Sequence, residues 1–254
     1  MKTTGLVTTS FVTAAETLKG AKTAERISVF KMPDSSKKDK TAVITLIGMA
    51  VMIIAVAVKA ATSSVIAAAV IHIAGLACFF IIEGIEKTPD SESGLSFKRF
   101  FSDLKKPGVI PLILLMLVLS PAEMLLSKAV FGCAYINHVL ERVNVPGLDQ
   151  LPLLLFTQIV SVLGEEIEFR AFFVGKGMKR FPFWPVAVVG AVIFAAAHFA
   201  AGAAGIVAWD LGGILLDAIL FAILYRRTGN CLISFIPHFL NNMIGFFLVP
   251  ILFG

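Results

Sequence analysis

Gly164-Glu165-Glu166-Ile167-Glu168-Phe169-Arg170 interrupts an apolar run, residues 151–175, that is long enough to cross a bilayer as a helix. Ionisable residues near the centre of a spanning helix cost roughly 2.5–3.5 kcal/mol each, so three carboxylates and a guanidinium cost on the order of 10 kcal/mol unless paired, neutralised or hydrated. A polar, water-accessible cavity enclosed by further helices would compensate for that cost. The stretch therefore implies a helical bundle around it and marks the first place to look for chemistry.

The rest of the chain has the composition such a bundle needs. Of its 254 residues 57% are hydrophobic and only 15% charged, with a mean hydropathy of +0.89, whereas soluble domains carry about 25% charged residues. The reading is all-α: a polytopic transmembrane helical bundle of about seven spans, at 41–58, 64–84, 109–134, 151–175, 184–201, 206–225 and 230–253. Residues 1–40 form a basic tail with a weakly amphipathic stretch from Leu6 to Phe30, suited to an anionic membrane surface. Residues 41–254 form one transmembrane domain. The first strongly apolar run begins only near Thr41, so no cleavable signal peptide is expected.

The connections alternate in charge. The tail is basic, the first turn holds only Lys59, and the 86–108 segment carries Lys87, Lys98, Arg99, Lys105 and Lys106. Arg142 is the only fixed cation of 135–150; then come Lys176, Lys179 and Arg180, a chargeless turn around Ala201–Gly205, and Arg226-Arg227. Basic connections face the cytoplasm, which places the amino terminus inside and the carboxyl terminus outside. Lys and Arg distributed in this way serve topology, so membrane lipid is an expected partner and nucleic acid is not. In the 88–108 segment, Ser91-Glu92-Ser93-Gly94 suggests a flexible link into a short surface helix over Leu95–Leu104. Cys78, Cys133 and Cys231 lack any CxxC spacing and are read as small packing residues.

Three polar constellations fall on three spans. At 100° per residue Glu166 and Arg170 share a helix face and can pair, Glu165 projects elsewhere, and Glu168 lies one turn from Glu165, facing the same cavity or the cytoplasm. Phe194 to His198 places an imidazole among small residues that allow close backbone approach. His238 and Asn242 share a face just after Pro237, which cannot donate to the carbonyl of Ile233 and opens the helix there. Glu, two His and Asn supply a general base, its partner and hydrogen-bond donors, the parts needed to add water to a carbonyl.

These motifs, Glu165-Glu166-x-x-x-Arg170, Phe194-x-x-x-His198 and His238-x-x-x-Asn242 in that order, resemble the CAAX protease and bacteriocin-processing (CPBP, or Abi) family of intramembrane endopeptidases, which includes the type II CAAX prenyl proteases. Tyr225-Arg226-Arg227-Thr228-Gly229-Asn230 also looks like the family's link into the last motif. The resemblance covers residues 151–245. It implies hydrolysis of a peptide bond in a membrane-associated peptide or membrane-protein substrate. Glu165 and His198 would activate water, His238 and Asn242 would form the oxyanion hole, and Glu166 and Arg170 would support the site. A metal-independent glutamate mechanism without cofactor is favoured. Zinc on Glu165, His198 and His238 is the alternative, although no HExxH helix is present.

Depth arithmetic puts Glu165 and His238 about 12–15 Å from the cytoplasmic ends of their spans, so the expected cavity opens mainly toward the cytoplasm. His198 falls deeper, which requires its helix to be tilted or displaced. Asp210 and Asp217 are expected in supporting roles, for example as a histidine partner, His72 as a packing residue, and Trp184 and Trp209 as interfacial anchors. Two rival functions compete: a non-catalytic immunity or scaffold protein that binds a peptide, and a proton-coupled transporter, which would require inverted repeats that the chain lacks.

Overall fold

The computed structural model describes residues 35–143 and 148–253, and the amphipathic stretch Leu6–Phe30 lies outside them. Lys40–Gly254 make up one compact unit. Among the described residues every regular element is helical. The order is α1 (Ser35–Thr62), α2 (Val65–Glu86), the short α3 (Phe100–Leu104), α4 (Val109–Phe131), α5 (Cys133–Arg142), α6 (Leu151–Glu165), a π-helical continuation (Glu166–Lys176), α7 (Phe183–Ala197), α8 (Ala204–Thr228) and α9 (Cys231–Phe253). The expected polytopic helical bundle is the fold. Five helices, α1, α2, α4, α8 and α9, are by themselves long and apolar enough to cross a membrane.

The two remaining expected spans differ from a plain membrane helix. Leu151–Lys176 is one continuous helical run whose second part carries the charged residues as a π-helix. Wide π turns are rare and concentrate at functional positions. α7 starts at Phe183, just after Pro182, and ends at Ala197 with His198 as its C-cap residue, short of the expected 201. At 1.5 Å per residue its 15 residues cover about 22 Å, short of a hydrocarbon core of roughly 30 Å. A helix that stops at such depth leaves orphan carbonyls. The ammonium of Lys59, at the end of α1, donates to the carbonyl of Ala197 and caps it.

Two loop expectations are also corrected. α4 stops at Gly132, whose φ of 59° a side chain would disfavour, and the chain re-enters a helix as α5 inside the expected 135–150 loop. The 88–108 segment is tied down instead of flexible, with a helix only at Phe100–Leu104. Arg99 donates to the carbonyls of Ser93, Thr228 and Gly229, and Asn230 bonds the backbone N–H and carbonyl of Ser96 and the carboxylate of Asp103. The carbonyls left over where α8 ends are the reason: this segment caps them.

The same contacts define one end of the bundle. Lys176 pairs with Glu83 and Glu86, Arg226 lies over the Phe183 ring at 4.4 Å, and Arg227 bonds the carbonyl of Pro107. Every strongly basic connection from Lys87 onward is at this end, as the sequence alternation requires. The other end gathers Lys59, α5, the 198–203 turn and the last turns of α9. The main core lies between them, where Phe79, Phe172, Phe173 and Phe194 are nearly inaccessible to solvent.

Candidate active site

Glu165, His198, His238 and Asn242, from α6, the end of α7 and α9, line one cavity of about 660 Å³. Gln158, Asp217 and Asn241 line it as well. The volume falls within the usual range for small-molecule and peptide pockets. A second cavity of about 150 Å³ adjoins it and shares Lys59, Glu165, Ala197 and His198.

The histidines are held so that one ring nitrogen of each is engaged. His238 Nδ1 lies 2.8 Å from Glu166 Oε1. A carboxylate only accepts, so Nδ1 carries the proton and, in the neutral ring, Nε2 bears the lone pair. Nε2 stands 3.7 Å from Glu165 Oε2, a separation that suits a bridging water better than a direct bond. His198 Nδ1 lies 2.8 Å from the carbonyl of Phe194, which leaves its Nε2 free in the same way. The i, i+4 spacing of Phe194 and His198 makes that bond local to one turn.

Glu166 does not line the cavity. It is fully buried on the far side of His238, where it also accepts from Ser234 Oγ and pairs with Arg170 Nη1 at 3.3 Å. The predicted pair exists, but the carboxylate is shared three ways. Arg170 is 1% exposed and neither of its terminal nitrogens makes an aligned hydrogen bond. Its guanidinium instead packs 4.5 Å from the centre of the Phe194 ring and 4.8 Å from that of Phe221. Phe194 also lies 4.6 Å from the His198 ring, and Phe221 stacks on His238 at 4.7 Å. Charge and imidazoles are thus locked into one aromatic lattice.

Several polar residues sit elsewhere than expected. Glu168 turns away from the main cavity and meets His72 Nδ1 at 2.8 Å, so His72 is a half-exposed ion partner beside the second cavity, not a simple packing residue. The wider π turn carries Glu168 to α2, where Gly75 leaves room for its side chain. Asp210 grips Arg142 at 3.0 Å and approaches His138 at 3.6 Å, and neither motif histidine is its partner. Trp209 points inward to Ser127 Oγ at 2.8 Å and is not an anchor, whereas Trp184 is exposed. Cys133 is exposed, Cys231 is buried, and all three cysteines are free.

Sequence reasoning missed Gln158, whose Oε1 accepts from Asn242 Nδ2 at 3.0 Å. The signal was present: Gln158 precedes Glu165 by seven residues, two turns along the same face of α6. Glu123 was also missed. Its carboxylate faces α8 at Gly213, where a side chain would collide with it.

The cavity lies toward one end of the bundle, where Lys59, Ser63, Val139–Arg142 of α5, Val143 and the Phe199–Ala201 turn line it. All belong to the end opposite Lys176, Arg226 and the 88–108 segment. Basic connections in the cytoplasm and a cavity open to the cytoplasm cannot both hold.

The family model described as Rce1-like, type II CAAX prenyl endopeptidase Rce1-like, matches residues 147–244. That stretch, less than half of the chain, contains all three motifs from Glu165 to Asn242. The chain carries this domain, and the family resemblance drawn from the motifs holds over it. No curated protein and no solved structure matches.

Zinc would take Glu165, His198 and His238, but among the described residues no three His, Cys, Asp or Glu side chains are gathered as a metal site.

Proposed function

We infer that this protein is an intramembrane endopeptidase that hydrolyses a peptide bond with a water activated by Glu165. The observation that carries the reading is the convergence of Glu165, His198, His238 and Asn242 on one cavity inside an apolar bundle. A water held by Glu165 and the free Nε2 of His198 loses its proton to the carboxylate as its oxygen attacks the peptide carbonyl carbon. The oxyanion that forms is held by the second Nδ2 hydrogen of Asn242, the first being donated to Gln158, and by His238 when its ring is doubly protonated. Collapse breaks the C–N bond, and the proton held by Glu165 passes to the leaving amine. Glu166 and Arg170 act through His238 as positioning residues.

The family match supports protease activity at the level of the fold, and the roles above are our own assignment. The test is to incubate detergent-purified protein with a peptide library and read products by mass spectrometry, comparing wild type with Glu165→Gln and His198→Ala. Both variants should remain folded and lose cleavage. Asn242→Ala should cut the rate by something like 10²–10³-fold, as the removal of one oxyanion donor does. Turnover equal to wild type in Glu165→Gln would remove the assignment and leave a peptide-binding scaffold of the same fold.

A further inference from the structure

We propose that the cavity opens on the non-cytoplasmic side of the membrane, and that its substrate is a peptide segment presented there: the membrane-proximal part of an exported or membrane-anchored polypeptide. The proposal rests on the hydrolytic reading above for what happens to the substrate, but not for where the substrate comes from.

The two ends of the bundle are unlike in charge. Lys106, Lys176, Lys179, Arg226 and Arg227 lie at one end, where each makes a contact with a neighbouring element. The opposite end holds Lys59, Arg142 and the exposed Lys128 in the last turn of α4, and the first two are used internally. Lys59 caps α7 through Ala197, and Arg142 forms a two-point pair with Asp210. Short connections rich in Lys and Arg stay in the cytoplasm, so the end with the cavity mouth faces away from it. The last turn of α5, Val139–Arg142, lines the cavity at this end, and the pairing of Arg142 with Asp210 fixes α5 to α8.

The substrate class follows from the side. A prenylated carboxyl terminus carries its lipid and its upstream basic residues at the anionic cytoplasmic leaflet. It would meet the closed, basic end of this bundle, where caps and ion pairs fill the space. A segment outside the membrane, or the outer end of another protein's transmembrane helix, meets the open end directly. Glu165 and His238 line the same cavity as Ser63 and Ala201 at that end.

Side-specific labelling tests this. Right-side-out membrane vesicles from cells expressing the full chain are treated with a membrane-impermeant maleimide. The native Cys133 is exposed and stands at the mouth end. It should label in sealed vesicles as fully as after permeabilisation, and Cys133→Ser should abolish that labelling. In the Cys133→Ser background, Ser63→Cys should label from outside, and Lys98→Cys only after permeabilisation. The opposite pattern, or equal labelling of both positions in sealed vesicles, overturns the proposal.

A second arm uses a single-spanning reporter carrying whichever peptide sequence the purified protein cuts. Cleavage is expected only when that sequence lies outside, and cleavage only of the inside version overturns the proposal. Outside labelling together with undiminished cleavage by Glu165→Gln would sink the hydrolytic mechanism and leave the outward opening standing, so the two failures are separable.

Discussion

Arg170→Ala is the perturbation with the largest expected effect away from the cavity. The side chain is 1% exposed and its carboxylate partner Glu166 is fully buried, so truncation strands a charge in the core. Breaking a buried pair from one side costs about 3–5 kcal/mol. The lower figure applies here, because Ser234 and His238 still bond Glu166. Loss of the guanidinium from between Phe194 and Phe221 adds about 1–2 kcal/mol. The expected total is about 4 kcal/mol. A chain of this size loses roughly 2–4 °C of Tm per kcal/mol, which gives about 8–16 °C.

The double change Glu166→Gln with Arg170→Gln removes both charges and keeps an amide oxygen where His238 Nδ1 and Ser234 donate. It should unfold at a higher temperature than Arg170→Ala, with a coupling of about 1–3 kcal/mol relative to the sum of the single changes. It should not regain full activity, since an amide orients His238 but does not balance the doubly protonated ring. Tryptophan-fluorescence melting in detergent measures the first claim, and the peptide assay the second. A double variant as unstable as the two singles added together would show that Glu166 and Arg170 do not act as a pair, and the reasoning above would fail with it.

Three further outcomes follow from the same contacts. Gln158→Leu frees Asn242 from its only side-chain acceptor, so cleavage should fall by less than in Asn242→Ala, and the double variant should be no slower than Asn242→Ala alone; additive rate losses would show that Gln158 acts independently. Lys59→Met removes the cap on α7, which should cost about 1–3 kcal/mol as a hydrogen bond to a charged donor, and should depress kcat by loosening His198; a melting temperature and kcat equal to wild type would refute the cap. Asn230→Ala leaves the backbone N–H and carbonyl of Ser96 without their side-chain partner and takes one donor from Asp103, which keeps Lys106, so the 88–108 segment should become more readily cleaved by trypsin at Lys98 and Arg99, whereas resistance equal to wild type would mean that Arg99, Lys106 and the Cys231–Gly94 backbone bond hold it without Asn230.

The fold was legible because two physical signals agreed. Apolar runs of bilayer length gave the spans, and alternating basic connections gave which of their ends lie together. The candidate site was legible through cost: Glu165, His198, His238 and Asn242 each stand where an apolar residue would be cheaper. What stayed hidden depends on local departures from an ordinary helix. A fixed 100° per residue pairs Glu166 with Arg170 correctly, since four residues return close to the same face in α and π geometry alike. It cannot foresee that the wide turn sends Glu168 to His72 on α2. Nor does hydropathy mark where α7 stops, because Ala200, Ala201 and the residues around them are as apolar outside the helix as the helix itself.

The termination at Ala197 leaves His198 as deep as the sequence arithmetic put it, about 22 Å along α7 from the basic end, and places the imidazole at a helix end that borders the cavity. With α7 spanning about 22 Å, its terminus stops inside the bundle, and the ring of His198 is anchored to the Phe194 carbonyl one turn back. A helix that ends at such depth is stable only where its last carbonyls find donors or water. Lys59 provides the donor and the cavity the water. The short helix, the cap on Ala197 and the opening at the Lys59 end are therefore one feature. Lengthening α7 to a full span would run helix through the Phe199–Ala201 turn that lines the cavity, so the point at which α7 stops and the end of the bundle at which the cavity lies are a single choice.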